Sequence, residues 1–274
     1  MKTPSPHSCF FRCGLLFAPL LISSIPLKAE VLFSYSGGTD PTGQGWTFYP
    51  GNVDNVQAHA VTIEGLPVWQ ISYEAPVVTP PPGGTTHSIY YRAVQATDRF
   101  QEGWSLKATM EVTIGGVNPT FSNTVYYLSS YDADGTPLSG NNRRIYGITF
   151  GLNAQGRTIV GLAGNDIAVW TAPAAGFIEV ELRYEPGSGI SLYANDTLVS
   201  SGYTGTSTTT ASNNYILWGR STNWPSRSEA HWANVEFSVI PEPYTASLLL
   251  LGLGGYLYTR GRRSFAKSSD RLAP

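Results

Sequence analysis

Trp104-Ser105-Leu106-Lys107-Ala108-Thr109-Met110-Glu111-Val112-Thr113-Ile114 is the stretch that decides the fold. Trp104, Leu106, Ala108, Met110, Val112 and Ile114 take every second position, and polar residues fill the gaps. Successive side chains of a strand point to opposite faces, so this period of two predicts a β-strand with one buried face. A helix would scatter the same apolar residues around its circumference.

The pattern recurs on either side. Tyr146, Ile148, Phe150 and Leu152 repeat it, as do Ile178, Val180, Leu182 and Tyr184. Ala233, Val235, Phe237 and Val239 form the last such run. Turn-forming clusters separate the runs: Asp132-Ala133-Asp134-Gly135, Asn153-Ala154-Gln155-Gly156, Glu185-Pro186-Gly187-Ser188-Gly189 and Asn195-Asp196. No segment before residue 244 has a helical period. Roughly 12–15 short strands with glycine-rich turns predict an all-β domain, a two-sheet sandwich or jelly roll, over residues 30–240. The Pro-rich then Gly-rich stretch at 77–86 reads as a surface loop inside that domain.

Both ends read differently. Residues 1–29 have a secretory leader's layout: Lys2 and Arg12, an apolar stretch at 14–27, and the small residue Ala29 before Glu30. Both cysteines, Cys9 and Cys13, lie in that leader. An exported chain without it has no disulfide and depends on its core for stability. At the other end, Ile240 precedes Pro241-Glu242-Pro243, which cannot continue a central strand. An uncharged apolar run at 244–258 follows, then Arg260, Arg262 and Arg263. The run is about 15 residues, against the ~17–25 that usually span a bilayer. Snorkelling arginines extend its reach. Gly252, Gly254 and Gly255 suit a membrane helix better than a buried core helix, the other reading. The basic end is expected to stay cytoplasmic, with 264–274 as a tail.

The chain as a whole has 17 Lys+Arg against 19 Asp+Glu. Lys2, Arg12 and Lys28 belong to the leader, and five basic residues and Asp270 lie beyond Pro243. The exported part is therefore strongly acidic, and Lys107 is its one lysine. Nucleic-acid binding needs clustered Lys and Arg, which excludes that partner.

Pro241-Glu242-Pro243, the short Leu- and Gly-rich run and the arginine cluster, in that order, resemble the PEP-CTERM sorting signal. The resemblance implies one transmembrane helix within an anchor at 241–263 and processing by the membrane protease-transpeptidase exosortase. It implies a destination in the envelope or matrix of a bacterium that makes exopolysaccharide. The hairpin and closing strands at 145–162, 176–202 and 215–239 resemble the concanavalin A-like lectin/laminin-G sandwich in strand lengths and turns. That family includes lectins, adhesive modules, spacers and glycosidases, so the resemblance implies a fold and leaves function open.

Candidate chemistry is sparse. Glu179, Glu181 and Glu185 share a strand face, with Arg183 between the last two. A retaining glycosidase needs two carboxyls about 5–5.5 Å apart. Glycosidases that resemble this fold carry three acids on such a strand, and Arg183 stands where the third would be. A solvated, ion-paired face is the alternative. Asp132 and Asp134 fit either a hairpin turn or part of a Ca²⁺ site, for which two aspartates are too few ligands. His59, His87 and His231 have no metal-ligand spacing. Asn195-Asp196-Thr197 matches a glycosylation sequon but reads as a hairpin turn. Trp69 and Trp104 follow the inward phase. Trp46, Trp170 and Trp224 stand beside Gly, Asn, Pro or Thr and are the candidates for stacking on sugar rings. The expectation is an exported, non-catalytic module that binds polysaccharide, neutral or bridged through Ca²⁺. A glycoside hydrolase and a purely structural spacer or adhesin are the alternatives.

Overall fold

The deciding stretch forms one strand, β6 (Trp104–Ile114), in the phase its sequence predicts. Trp104, Leu106, Ala108, Met110 and Val112 are buried. The computed structural model describes residues 29–49, 56–74, 86–95, 103–114, 122–164, 167–209, 214–222 and 227–240. The chain divides into two units, and all these residues belong to the one at Leu27–Ala246. The expected leader up to Lys28, most of the loop at 77–86, Trp224, and the expected Pro-Glu-Pro anchor, arginines and tail lie outside the described residues.

Sixteen strands occur among the described residues, all paired antiparallel, in two sheets. The first sheet runs β13 (Thr197–Tyr203), β12 (Gly189–Ala194), β11 (Ile178–Glu185), β6, β16 (Ser228–Val239), β4 (Leu66–Tyr73), β3 (Val56–Ile63), with β1 (Glu30–Ser36) also on β16. The second runs β10 (Ala168–Thr171), β9 (Thr158–Leu162), β8 (Asn142–Leu152), β7 (Asn123–Ser129), β15 (Tyr215–Thr222), β5 (Thr86–Ala93), β2 (Thr47–Tyr49), with β14 (Thr206–Thr209) also on β8. Neighbours in each sheet are mostly distant in sequence, as in a jelly-roll sandwich. The helical content of the described residues is a single 3-10 turn, Pro41–Gln44, capped by Asp40 accepting the Thr42 N–H at 2.8 Å. No helix among these residues is long and apolar enough to cross a membrane.

Aromatic rings fill the space between the sheets. Trp218 of the second sheet stacks on Tyr35 at 4.7 Å and on Tyr90 at 4.9 Å. It also meets Trp232 of the first sheet at 5.2 Å. A second group surrounds Trp104, with Tyr127 at 5.6 Å and Tyr146 at 5.5 Å. Large aromatic side chains remove much apolar surface from water each, which suits a core without disulfides.

The closing strand departs from simple alternation. Register shifts between Trp232 and Asn234, so Trp232 and Val235 both face inward. Such a bulge inserts an extra residue and moves Ala233 out of the phase its sequence predicts. The expected turns form: Gly135 N–H donates to Asp132 O, Gly156 N–H to Asn153 O, and Ser188 N–H to Glu185 O. Asn195 and Asp196 both take positive φ, 47° and 60°, the type I′ pattern of a two-residue hairpin. Asn195 Oδ1 accepts the Glu179 N–H at 3.0 Å, which ties that turn to the neighbouring strand.

Candidate functional site

The outward faces of the two sheets differ in chemistry. On the first sheet, every second residue of β11, β6 and β16 points out and most of these are charged. Lys107 Nζ lies 2.8 Å from Glu179 Oε1. Arg183 donates to both oxygens of Glu181, at 3.0 and 2.7 Å, and Ser105 Oγ donates to Oε1 at 2.6 Å. Glu185 is 3.7 Å from the same guanidinium. The Arg183 guanidinium also lies over the Tyr193 ring, 4.8 Å from its centroid. Burial by itself would raise the Glu181 carboxyl, but the bonds from Arg183 and Ser105 outweigh it and hold the group below its ordinary value. Glu181 is thus a fixed carboxylate with its lone pairs engaged, as a structural ion pair requires and an acid catalyst does not.

Further along that face lies a group the sequence did not single out. His231 is 4% exposed and sits between two carboxylates of adjacent positions. Its Nε2 is 3.3 Å from Glu229 Oε1 and its Nδ1 is 3.6 Å from Glu111 Oε2. Thr113 Oγ1 donates to Glu229 Oε1 at 2.7 Å and Gln70 Nε2 to Oε2 at 3.2 Å. The arrangement depends on cross-strand register, which sets His231 opposite Glu111 on one side and Gln70 on the other. Spacing within the sequence carries no trace of it.

The second sheet presents three uncharged rows on its outward face, with Arg143 of β8 in the row beyond them. Register aligns its outward residues in rows. One row runs Tyr49, Ile89, Gly219, Thr124, Thr149, of which Gly219, Thr124 and Thr149 are buried. The next runs Thr47, Tyr91, Leu217, Tyr126, Gly147, and the third runs Ala93, Tyr215, Leu128, Ile145. None of these positions holds Asp, Glu, Lys or Arg. Tyr49 is 51% exposed, and Tyr91, Tyr126, Tyr215 and Leu217 are half-buried. The Tyr91 and Tyr215 rings meet edge to face at 5.3 Å. A Cβ on Gly147 would run into the Tyr126 ring, so the missing side chain makes room for that ring across the strand. The sequence does carry a signal for this face. In a strand of period two, the pairs Tyr90-Tyr91 and Tyr126-Tyr127 must send one ring inward and one outward.

One anticipated ligand residue is corrected, and the two aspartates are placed in their turn. Trp46 is 3% exposed, packs edge-on against Trp218 at 5.9 Å, and donates its indole N–H to Ser34 O at 3.2 Å. It belongs to the core and offers no ring to a sugar. Trp170 is half-buried on the edge strand β10 and packs against the core. Trp224 lies outside the described residues. Asp132 and Asp134 act within their turn. Arg144 Nε donates to Asp132 Oδ1 at 2.9 Å, and Asp134 Oδ1 accepts the Thr136 N–H at 2.9 Å. The backbone bond to Thr136 holds the Asp134 carboxyl below its usual range. A guanidinium on one carboxylate and a turn amide on the other leave no shared cation cage. Among the described residues no three His, Cys, Asp or Glu come together in a way that could hold a metal ion.

No family model matches the chain, and no curated protein does. Solved structures do resemble it. A carbohydrate esterase from Shiga toxin-encoding bacteriophage phi24B is 13% identical, covering 77% of this chain and 99% of its own, with a TM-score of 0.52. Domain 4 of AbnA, an extracellular arabinanase from Geobacillus stearothermophilus, is 12% identical over 80% of this chain and 97% of its own, with a TM-score of 0.42. An endo-1,3-beta-glucanase from Streptomyces sioyaensis is 10% identical over 81% and 98%, with a TM-score of 0.38. The likeness to the esterase is one of fold alone.

Proposed function

We propose that this chain is an exported cell-envelope or matrix protein whose β-sandwich binds glycan without catalysis. One observation carries the reading: the charges gather on the outward face of one sheet, while the other sheet sets tyrosine rings in uncharged rows. Aromatic rings beside hydroxyls are what sugars offer partners for, through stacking and a few hydrogen bonds. The locked Glu181 carboxylate removes the acid that a glycosidase on this strand would use. The fold likeness to a carbohydrate esterase agrees with a role around glycans. Export through the leader, sorting by the Pro-Glu-Pro signal and processing by an exosortase complete the proposal and rest on sequence alone. A glycan array probed with the exported protein, with and without Ca²⁺, is the test. Binding that chelator leaves intact supports the reading, and a blank array under both conditions overturns it.

A hydrolase reading has one observation in its favour. Glu111 and Glu229 flank the buried His231 on the charged face, and paired carboxylates are the equipment of glycoside hydrolysis. Release of reducing sugar from any polysaccharide on the array, lost in Glu229→Gln, would establish it.

A further inference from the structure

We infer that the ligand is an uncharged polysaccharide and that it lies across the strands on the outward face of the second sheet. The inference rests on the glycan-binding reading and gives it a location and a substrate class. Tyr91, Leu217 and Tyr126 stand side by side in one row on β5, β15 and β7. Adjacent strands are about 4.8 Å apart, so Tyr91 and Tyr126 are separated by roughly 9.6 Å along the row. That distance suits rings that meet successive parts of one sugar chain. Tyr215 stands in the next row against Tyr91, and Tyr49 stands on the edge strand β2 in the row on the other side.

Charge decides the class. The rows from Tyr49 to Gly147 offer a sulfate or carboxylate no cation, and such a group would lose hydration without a partner. The acidic balance of the exported part adds repulsion toward any polyanion. An apolar protein partner fits less well. Among the described residues, the large hydrophobic side chains that are well exposed are Val31, Leu66, Ile167 and Leu198, which lie elsewhere, and Tyr49 on this face. What remains is a set of flat rings with hydroxyls, held by their neighbours before any ligand arrives. Such preorganisation lowers the entropic cost of binding.

The experiment titrates the full-length protein with linear neutral β-glucan oligosaccharides and with polygalacturonate oligosaccharides, by calorimetry at low and high salt. We expect a neutral oligosaccharide to bind with an affinity that salt changes by less than about twofold. Tyr91→Ala and Tyr215→Ala should each weaken it by about tenfold, the scale of one lost contact anchor. Tyr91→Leu keeps bulk without a planar ring and should weaken binding as well, which covers the case of a misfolded alanine variant. Glu236→Gln on the opposite face should change nothing. Neutral-glycan binding that survives all three tyrosine variants overturns the location and leaves the glycan reading standing. Preference for polygalacturonate with steep salt dependence overturns the class. No binding of either oligosaccharide, together with a blank array, overturns both inference and reading. A concentration-dependent dimer that Tyr91→Ala dissolves, with no sugar bound, shows that a second copy covers the face and overturns the inference.

Discussion

Glu181 shows how one residue's environment sorts function from structure. Its carboxylate takes two bonds from Arg183 and one from Ser105, and is held ionised below the ordinary glutamate value of 4.5. A carboxyl whose folded value lies below its unfolded one contributes stability above the unfolded value, and that contribution is lost as pH falls through the folded value. Glu181→Gln should therefore lower stability by roughly 1–2 kcal/mol near neutral pH, since the pair is only partly buried. The gap between variant and wild type should shrink as pH drops below about 4.5. Thermal midpoints of both proteins at stepped pH would check this, and a gap that widens in acid would contradict the assignment. The aromatic core offers a larger effect. Trp218 is fully buried among Tyr35, Tyr90, Trp46 and Trp232. Trp218→Ala should cost about 3–5 kcal/mol through the cavity it leaves. At about 2–4 °C per kcal/mol in a domain of this size, the midpoint should fall by roughly 6–20 °C.

At the scale of the element, the strands were legible wherever alternation was clean. β6 and β11 occupy the residues their patterns predict, because a half-buried strand writes its burial directly into every second position. β16 was legible as a strand and in phase at Val235, Phe237 and Val239 but not at Ala233, since the bulge at Trp232 and Asn234 leaves no mark that alternation detects. Turns were legible through glycine, asparagine and aspartate. The β12–β13 turn can be improved on. Asp196 holds φ of 60°, which glycine adopts without penalty. Asp196→Gly makes the favoured Asn-Gly pair and should raise stability by about 0.5–1 kcal/mol, read as a higher midpoint on heating. Gly147→Ala should do the opposite. Its Cβ would displace the Tyr126 ring, so both stability and any affinity borne by that face should fall together. Loss of stability without loss of affinity would separate Tyr126 from the ligand.

For the whole molecule, what the sequence conceals is what long-range register assembles. Trp46 sits beside Gly45 in a context that reads as a loop, yet its ring closes the core against Trp218, far away in sequence. Arg144 answers Asp132 across a hairpin, and Glu111 meets His231 only because β6 and β16 are neighbours. The uncharged rows likewise exist only once β5, β15 and β7 lie side by side.

The two ends pose a different kind of question, because a sorting signal of the proposed kind would be read by another protein and would need no place in the core. The domain closes on its own: β16 ends at Val239, and Ile240 N–H donates to Gly103 O at 3.1 Å just before Pro241. By sequence, Pro241 and Pro243 lack the N–H that a ladder needs, which would suit a motif read by a membrane protease. If the composite of Pro-Glu-Pro, apolar run and arginines is the address, replacing residues 241–243 with alanine should leave folding untouched and abolish processing. The variant should keep the wild-type thermal midpoint but accumulate unprocessed in the inner membrane, by fractionation and intact mass. Wild-type trimming and surface arrival in the variant would show that the motif is not what the export machinery reads. Deleting the host's exosortase gives the complementary result. Unchanged processing there would reduce residues 244–263 to a plain anchor holding the sandwich at the membrane.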